Sequence, residues 1–390
     1  MVLSISPGAK DDDTKLSILK INSKNGKITS PMRAVNRNDI SAKEALGSNL
    51  HLAKFAKSFC YELPLNMNDV LSILNNEKYI EKYEKKILDF IDRFRTNGSL
   101  FLLYPTVTIE AYQSIIQNDF VKLFARRICE FIKKLGLECV ILPTFNKIEV
   151  VAKEVQKNDL QYIPRINIKN DPTIVDKEFT AFDGFDCSNS PIVGINFCTY
   201  LDAEDQYKKI IKKFDHWHER NKAIITFGAE RKLPNCNNVS GVHYPTVIYG
   251  DLVVEKFSRY FGGDKKKKKI QTKIGNQNKS NPNLVWFDKN ELKFSKIDKN
   301  NIDPFLDSRK TGIYENRLTR DLLYRIVTDQ LNPDDIKNRR EGDLNRLDEN
   351  DSSRPDFKTF QDRIDNNEAK EYIDSKKGMC DILKKHLKLN

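Results

Sequence analysis

Two carboxylates stand out in the sequence because each follows an apolar run that is broken by a glycine. Residues 223–227 (AIITF) precede Glu230, and residues 246–249 (TVIY) precede Asp251. If both runs are neighbouring parallel strands, we expect the two carboxylates to lie at the same end of the sheet. Such a pair can divide acid–base and nucleophilic roles when their environments separate their pKa values. An exposed loop carboxylate is the alternative for each.

Arginines and other polar residues also stand at the ends of the predicted strands. Arg33 and Arg165 are candidate clamps for a phosphate or a carbonyl oxygen, and a surface or ion-paired arginine is the alternative. The full set of strand-end candidates is Arg33, Tyr104, Asn146, Arg165, Asp171, Asn196, Glu230, Arg231, His243 and Asp251. Within this set we predict catalytic roles for Asp251 and Glu230, and substrate-binding roles for Arg33, Tyr104, Arg165, Asn196, Arg231 and His243.

The cysteines and histidines do not predict a metal centre. The seven cysteines are scattered, no pair has the C-x2-C spacing of a zinc site, and their odd number argues against a disulfide framework. His216 and His218 stand two residues apart on a predicted helix, so their side chains face apart. A metal held by Cys236, His243 and a distant ligand is the alternative. We predict neither a metal nor a cofactor.

The composition is that of a soluble globular protein, with 39% hydrophobic and 31% charged residues. No apolar run approaches the roughly 20 residues of a membrane span. The N-terminus lacks the basic flank and apolar segment of a signal peptide, so we expect a cytoplasmic protein. The net charge of +11 suits a polyanion, and tRNA or DNA is the predicted partner. A solvated, lysine-rich surface is the alternative.

Short apolar runs alternate with amphipathic segments along most of the chain, which is the pattern of a parallel α/β sheet. Predicted helices cover 68–95, 110–135, 147–157, 203–219 and 315–331. Predicted strands start at Ile28, Leu100, Cys139, Gln161, Ile192, Ala223 and Thr246, and an eighth is not located. This order predicts an α/β fold of the (β/α)8 barrel type with an α-rich C-terminal extension. A doubly wound open sheet is the alternative, although no glycine-rich phosphate loop follows the first strand.

The composition changes along the chain in a way that predicts four regions. Residues 1–14 are a predicted flexible lead, and residues 15–261 form the predicted barrel domain. Residues 262–283 are basic and polar, which indicates a linker or long loop. Residues 284–390 form a predicted hairpin and helical region that packs on the barrel or stands as a separate module. Within it, the highly charged residues 339–356 are predicted to be mobile.

Four short segments resemble one enzyme family. The segment at 25–31 (NGKITSP), followed by 192–194 (IVG), 224–228 (IITFG) and 249–251 (YGD), is similar to the tRNA-guanine transglycosylases and their DNA-directed relatives. The resemblance implies a barrel that exchanges a nucleobase, in which an aspartate attacks the ribose carbon as guanine leaves. The position that matches this nucleophile is Asp251.

The resemblance covers residues 15–260 and departs from the family in two signatures. Tyr104-Pro105-Thr106 stands where the family has Ser-Gly-Gly-Phe-Gln after the strand at Leu100. The Cys-x-Cys-x-x-Cys…His zinc site of the family is also missing.

Three hypotheses follow from the sequence. The first is a transglycosylase-like barrel acting on nucleic acid or a nucleobase, which requires Glu230 and Asp251 at one end of the strands. The second is a catalytically inactive barrel that binds nucleic acid or protein. The third is an enzyme for a small phosphorylated or carboxylated metabolite, with Arg33 or Arg165 as the anion clamp.

Overall fold

The protein has a mixed α/β fold in a computed structural model. The structure describes residues 3–46, 58–94, 100–167, 172–185, 190–196, 212–213, 215–232, 238–255, 285–309, 312–337 and 340–381. Helices and parallel strands alternate through the first two thirds of the chain, and helices dominate the last third.

The strands form two parallel sheets and two antiparallel units. The N-terminal antiparallel unit consists of β1 (Ser4–Lys10), β2 (Ser17–Ser23) and β3 (Gly26–Thr29). The parallel strands are β4 (Met32–Arg33), β5 (Val35–Asn36), β6 (Ser58–Leu65), β7 (Leu100–Val107), β8 (Cys139–Pro143), β9 (Gln161–Asn167), β10 (Ile192–Asn196), β11 (Ala223–Ala229) and β12 (Leu252–Glu255). One parallel sheet has six strands in the order β4-β12-β11-β10-β9-β8, and the other has three in the order β5-β6-β7. A C-terminal hairpin pairs β13 (Trp286–Asp288) with β14 (Lys293–Ser295).

The described helices are mostly short. Those of the first two thirds are α1 (Arg37–Leu46), α2 (Met67–Asn75), α3 (Glu84–Phe94), α4 (Ile109–Gln117), α5 (Val121–Lys134), α6 (Ile148–Lys157) and α7 (Pro172–Gly184). Those of the last third are α8 (Ile302–Asp307), α9 (Arg317–Val327), α10 (Pro333–Lys337), α11 (Arg340–Asp365) and α12 (Ala369–Ser375). The side chain of Asn66 caps α2 in a capping box with Asp69, which satisfies free amide groups at the helix start.

The two parallel sheets share one apolar cluster. Its members from successive parallel strands are Ala34, Cys60, Leu102, Ile141, Ile163, Ile192, Ile225 and Val254. The N-terminal unit adds Leu19, Ile21 and Ile28 to the same cluster. Because Lys24, in the turn between β2 and β3, donates to the carbonyl of Gly136 just before β8, this unit covers the amino ends of the strands.

Outward-facing strand residues pack against the surrounding helices. Leu103 and Val140 belong to a second cluster with residues of α2, α5 and α6, among them Phe124 and Ile128. Period-two alternation in the strands thus separates an inner from an outer apolar layer. None of the helices in the described residues has the length and apolarity that crossing a membrane requires.

The C-terminal region packs on the strands through α11. Gln361 donates to the carbonyls of Thr29 and Pro31 at 3.0 Å, and Asn345 donates to the carbonyl of Val285 at 2.8 Å. This helix occupies most of the segment for which the sequence predicts mobility, and its Asn345 is 1% exposed. The prediction failed because the segment is polar, and its polar side chains are buried against other polar groups.

Several predicted elements agree with the structure, and others differ. The hairpin in the C-terminal region is confirmed, and β6 supplies the strand that the sequence does not locate. Ser4–Lys10 forms a paired strand within the predicted flexible lead. The predicted helix 110–135 is two helices, separated near Asn118, and the predicted linker 262–283 lies outside the described residues.

The strand predicted at Thr246–Tyr249 is wrong. Tyr244–Ile248 is a 3-10 helix that starts with Pro245 in its first turn, and Tyr249 has a φ of 69°. The strand lies later, at Leu252–Glu255, and pairs with β11 and β4. Proline and the left-handed residue exclude a strand despite the β-branched side chains.

Candidate functional site

A cavity of about 310 Å³ opens at the carboxyl ends of β7, β8, β9 and β10. Its lining residues are Thr106, Val107, Ile109, Tyr112, Gln113, Ile116, Gln117, Pro143, Asn146, Arg165 and Asn196. Four of them, Gln113, Gln117, Asn146 and Asn196, carry amide side chains. Of the described lining residues, Arg165 alone is charged. Three of the predicted strand-end residues, Arg165, Asn146 and Asn196, therefore lie together around one cavity.

Arg165 is the central residue of this cavity. It is 5% exposed, its guanidinium carbon lies 5.7 Å from the centroid of the Tyr104 ring, and its Nη1 has no hydrogen-bond partner among the described residues. Burial lowers the pKa of the Arg165 guanidinium, and the nearby Tyr104, Glu62, Tyr112 and Glu178 only partly oppose this. A buried nitrogen without a partner is costly, and an acceptor in the cavity would remove that cost.

The backbone holds Arg165 against a layer of aromatic rings. Arg165 pairs with Gly194 across β9 and β10, and a Cβ at Gly194 would lie only 2.9 Å from the Phe227 ring. The missing side chain lets Phe227 pack against Tyr104, with ring centroids 4.6 Å apart. This layer closes the interior beneath the cavity, so the guanidinium stands between an apolar floor and the opening.

Two glutamates that the sequence analysis missed accompany Arg165. Glu62 accepts from Thr106 Oγ1 at 2.7 Å and from the Tyr104 hydroxyl at 3.3 Å, because β6 and β7 pair in parallel with Glu62 opposite Tyr104. Burial and the nearby Glu62 raise the pKa of Tyr104 well above its usual value, so its hydroxyl stays a donor. The sequence signal was present, since Glu62 interrupts the apolar run that becomes β6.

The second glutamate, Glu178, lies on α7 and is 1% exposed. It accepts from Thr144 Oγ1 at 2.8 Å and from the Tyr112 hydroxyl at 3.2 Å, and the Tyr112 ring stacks on Phe145. These contacts fix the Tyr112 ring that lines the cavity. No sequence pattern pointed to Glu178, because its helix was not predicted.

The other strand-end arginine, Arg33, belongs to a closed ion network. We use this name for Arg33, Asp39, Glu255, Arg346 and Glu349, all buried or nearly so. Arg33 pairs with Glu255, with Asp39 at 3.5 Å and with Glu349 at 3.6 Å. Arg346 of α11 pairs with Asp39 at 2.7 Å and with Glu255 at 2.9 Å. The three carboxylates around Arg33 leave little need for an external anion.

Arg231 is held beside this network. Its Nε donates to Glu349 at 2.5 Å, another nitrogen donates to Asn345, and its guanidinium carbon lies 4.8 Å from the Phe294 ring centroid. Arg231 therefore links β11 to α11 and the C-terminal hairpin. The cavity lining does not include it.

The prediction that Glu230 and Asp251 share one end of the strands is wrong. Asp251 precedes β12 and accepts from the Ile224 amide at 2.8 Å, at the amino end of β11. Glu230 directly follows the last residue of β11. Six residues of extended chain separate Ile224 from Glu230, or about 20 Å at the usual strand rise. The misplaced strand caused the error, since Asp251 comes before the true strand and not after it.

His243 is a packed core residue. Its ring lies parallel to Phe287 and Phe357, with centroids 5.0 and 4.6 Å away, and its Nδ1 is 2.9 Å from Ser240 Oγ. Burial lowers the pKa of His243 to about 3, so the ring is neutral at physiological pH. Asp171 and Cys236 lie outside the described residues, and those that are described contain no cluster of three metal-ligating side chains.

No protein-family model matches the chain, and a search of curated proteins finds no match to it.

Proposed function

We propose that this chain is a (β/α)8 barrel protein that binds a small anionic molecule, a phosphate or carboxylate compound, in the cavity at Arg165. The proposal corresponds to the third sequence hypothesis, with Arg165 and not Arg33 as the clamp. Barrels place their sites at the carboxyl ends of the strands, where this cavity opens.

The barrel part of the proposal is supported by how the two parallel sheets meet. β4 and β5 are separated only by Ala34, so one stretch of chain pairs with β12 on one side and with β6 on the other. At the other junction, Cys139 Sγ of β8 lies 3.8 Å from the carbonyl oxygen of Phe101 in β7. The apolar cluster shared by the two sheets contains a residue from each of eight strands, when β4, Ala34 and β5 are counted as one strand.

The observation that carries the binding proposal is that Arg165 is buried beside an open cavity with no carboxylate partner among the described residues. Its Nη1 has no hydrogen-bond partner there, and neither do Nε and Nη1 of Arg33. Arg165 is buried as deeply as Arg33, but no carboxylate of the described residues lies within salt-bridge distance of it. A phosphate or carboxylate oxygen in the cavity would accept a hydrogen bond from Nη1. It would also supply the negative charge that the buried Arg165 lacks.

The rest of the lining suits the remainder of a small metabolite. Val107, Ile116 and Pro143 offer apolar contact, and the four amide side chains offer donors and acceptors. The volume of about 310 Å³ lies at the lower end of the range for small-molecule sites, about 300–1,000 Å³. A compact polar metabolite fits this space better than a polymer.

Base exchange on nucleic acid has less geometric support. The residue that would match the nucleophile, Asp251, accepts from His218 and from the Ile224 amide at the amino end of the strands. The cavity lies at the opposite end. The net charge of +11 is what favours a nucleic-acid partner, and it is a weaker argument than a placed side chain.

Thermal unfolding with inorganic phosphate and with succinate, each at constant ionic strength against sodium chloride, tests the proposal. We expect either anion to raise the unfolding midpoint, with about 2.7 kcal/mol of stabilisation at a hundredfold excess over Kd. Arg165→Gln should abolish the increase. The matched control is Arg317→Gln, since Arg317 on α9 has a 93% exposed side chain and does not line the cavity. An equal increase in wild type and Arg165→Gln, or none in wild type, would contradict the proposal.

A further inference from the structure

Ser17, His218 and Asp251 form a continuous hydrogen-bonded chain at the amino ends of the strands. Ser17 Oγ lies 2.9 Å from His218 Nδ1, and His218 Nε2 lies 2.8 Å from Asp251 Oδ2. The three residues come from β2, from the helical residues before β11 and from the turn before β12. Sequence distances of 201 and 33 residues separate the paired groups, so only folding brings them together.

The hydrogen bonds fix which nitrogen of His218 can act as a base. Asp251 Oδ2 also accepts the Ile224 amide hydrogen at 2.8 Å, so it is an acceptor toward His218 Nε2 as well. The ring proton therefore lies on Nε2, and Nδ1 has its lone pair toward the Ser17 hydroxyl. Serine triads usually place the carboxylate on Nδ1 and the serine on Nε2. In His218 the two nitrogens exchange these roles, since Nδ1 faces Ser17 and Nε2 faces Asp251. The proton still moves from the serine hydroxyl to the imidazole.

The hydrogen-bonded series of Ser17, His218 and Asp251 ends at an open cavity. Ser17 and His218 line a space of about 130 Å³ together with Lys10, Lys15 and Asn221, and with the acidic residues Asp215 and Glu219. At roughly 30 Å³ per liquid water, this space holds about four waters, which is enough for a short acyl group beside Ser17. The ammonium groups and the Asn221 amide are donors that can face a developing oxyanion. His218 and Asp251 are buried, while Ser17 is half-buried at the cavity wall.

We propose that Ser17 is a nucleophile for short-chain acyl esters, with His218 as its general base and Asp251 as the positioning residue. Ser17 Oγ bonds the carbonyl carbon as His218 Nδ1 takes the hydroxyl proton. The ester C–O bond breaks, and the alcohol leaves with that proton. Water then attacks the acyl carbon as Nδ1 takes one of its protons. The bond between the acyl carbon and Ser17 Oγ breaks, Nδ1 returns the proton to Oγ, and the carboxylic acid leaves. This site is separate from the Arg165 cavity and does not depend on it.

Acetylation by p-nitrophenyl acetate tests the nucleophile. After an acid quench, peptide mapping of the full chain should show an acetyl group on Ser17, and p-nitrophenolate should appear in a burst of about one equivalent. Ser17→Ala should lose both. Ser4→Ala is the control, since Ser4 is exposed on the adjacent strand and has no histidine beside it, and it should retain both. An unmodified Ser17 peptide, or an equal burst in Ser17→Ala, would overturn the proposal.

Two further measurements separate catalysis from a structural role. If Ser17→Ala unfolds at a lower temperature, Ser17→Cys decides the question, because a thiol at this position should form a thioester that hydroxylamine cleaves. For Asp251, ¹⁵N shifts of the His218 ring should report the proton on Nε2, and Asp251→Asn should move it to Nδ1 and slow acetylation by at least about a hundredfold. Acetylation at the wild-type rate with the shifted tautomer would remove Asp251 from the proposal.

Discussion

Arg33 and Arg165 are both buried near the carboxyl ends of parallel strands, but their surroundings differ completely. Arg33 lies within the closed ion network, beneath α11. Among the described residues, Nε and Nη1 of Arg33 and Nη1 of Arg165 all lack a hydrogen-bond partner. Arg33 nevertheless has three carboxylates within 3.6 Å, whereas Arg165 faces a cavity and has no described carboxylate within salt-bridge distance. The same residue type in the same kind of position is a structural ion pair in one case and a candidate ligand-binding group in the other.

The pKa values of the two arginines are shifted in opposite directions. Burial lowers the pKa of Arg33, but Glu255, Asp39 and Glu349 outweigh that effect and raise it. At Arg165 burial lowers the pKa and the surrounding groups do not compensate. Removing one partner from a buried ion pair is strongly destabilising, because it leaves the other charge uncompensated. A buried charge that has no partner already carries that cost, and a bound ligand can remove it.

The largest expected effect is on stability. Arg33→Gln leaves Glu255, Asp39 and Glu349 buried with less positive charge, and it should lower the free energy of unfolding by about 3–5 kcal/mol. Arg165→Gln removes an uncompensated charge and should change it by less than about 1 kcal/mol. Urea denaturation of both variants measures the difference. Equal losses would show that Arg165 is as well paired as Arg33, and the contrast between the two regions would fail.

The second effect concerns pH and the helix that covers the network. Burial raises the pKa of Asp348 on α11 to about 6, despite Arg309 Nε at 2.8 Å. Since the folded state binds this proton more tightly than the unfolded one, the contribution of Asp348 to stability falls as pH rises from about 4 to about 6. Asp348→Asn should remove this fall, which we expect to be about 1–3 kcal/mol.

The pKa of Asp39, in the closed ion network, is shifted downward, opposite to that of Asp348. Asp39 therefore serves as the comparison for that experiment. Burial alone raises its pKa, but Arg346 and Arg33 outweigh burial and lower it. Its contribution is therefore present above about pH 4, near the unfolded pKa, and is lost as pH falls through the lower folded pKa. Urea denaturation from pH 3 to pH 7 should show both windows in wild type. A difference between Asp348→Asn and wild type that does not vary with pH would contradict the assignment.

A third, smaller effect concerns anion affinity at the cavity. Glu62 contributes negative charge near Arg165, so Glu62→Gln should tighten phosphate binding by about five- to tenfold, or about 1–1.4 kcal/mol. Isothermal titration with inorganic phosphate measures the change. Glu149→Gln, an exposed glutamate in the first turn of α6, is the control and should bind as wild type does. Weaker binding in Glu62→Gln would indicate that Glu62 positions the cavity side chains more than it opposes the anion.

The smallest effect is expected for Tyr104→Phe. The change removes the hydroxyl donor to Glu62 at 3.3 Å and keeps the ring beneath Arg165, so it should cost about 0.5–1.5 kcal/mol of stability. Phosphate affinity should stay within about twofold of wild type, because the cation–π contact remains. A large loss of affinity would mean that the hydroxyl, and not the ring, orients Arg165.

Most of the parallel strands could be predicted from the sequence. The strands at Leu100, Cys139, Ile192 and Ala223 are continuous apolar runs, because both faces of a parallel sheet are buried. The run at Thr246 has the same composition but folds as a 3-10 helix next to Pro245. Composition identifies buried chain, and backbone constraints decide its conformation.

The candidate site was predictable in part for the same reason. Arg165 lies two residues before the end of β9 and Asn196 ends β10, so both lie near the carboxyl ends that the sequence predicts, and both line the cavity. A strand misplaced by six residues, at Thr246 instead of Leu252, moved Asp251 to the wrong end. Glu62 was missed although it interrupts an apolar run, because the strand that contains it was not located. Glu178 was missed because its helix was not predicted.

The sequence by itself determined the alternation of helices and parallel strands, and with it the end of the strands at which Arg33 and Arg165 lie. Local apolar patterns carry that information, because burial on both sheet faces constrains each strand independently of distant partners. Only the tertiary structure decided that Glu255, Asp39 and Glu349 neutralise Arg33 while Arg165 faces a cavity. It also decided that Ser17, His218 and Asp251 meet. Charge pairing and proton transfer depend on distances of a few ångströms between residues far apart in the chain, and no local pattern encodes those distances.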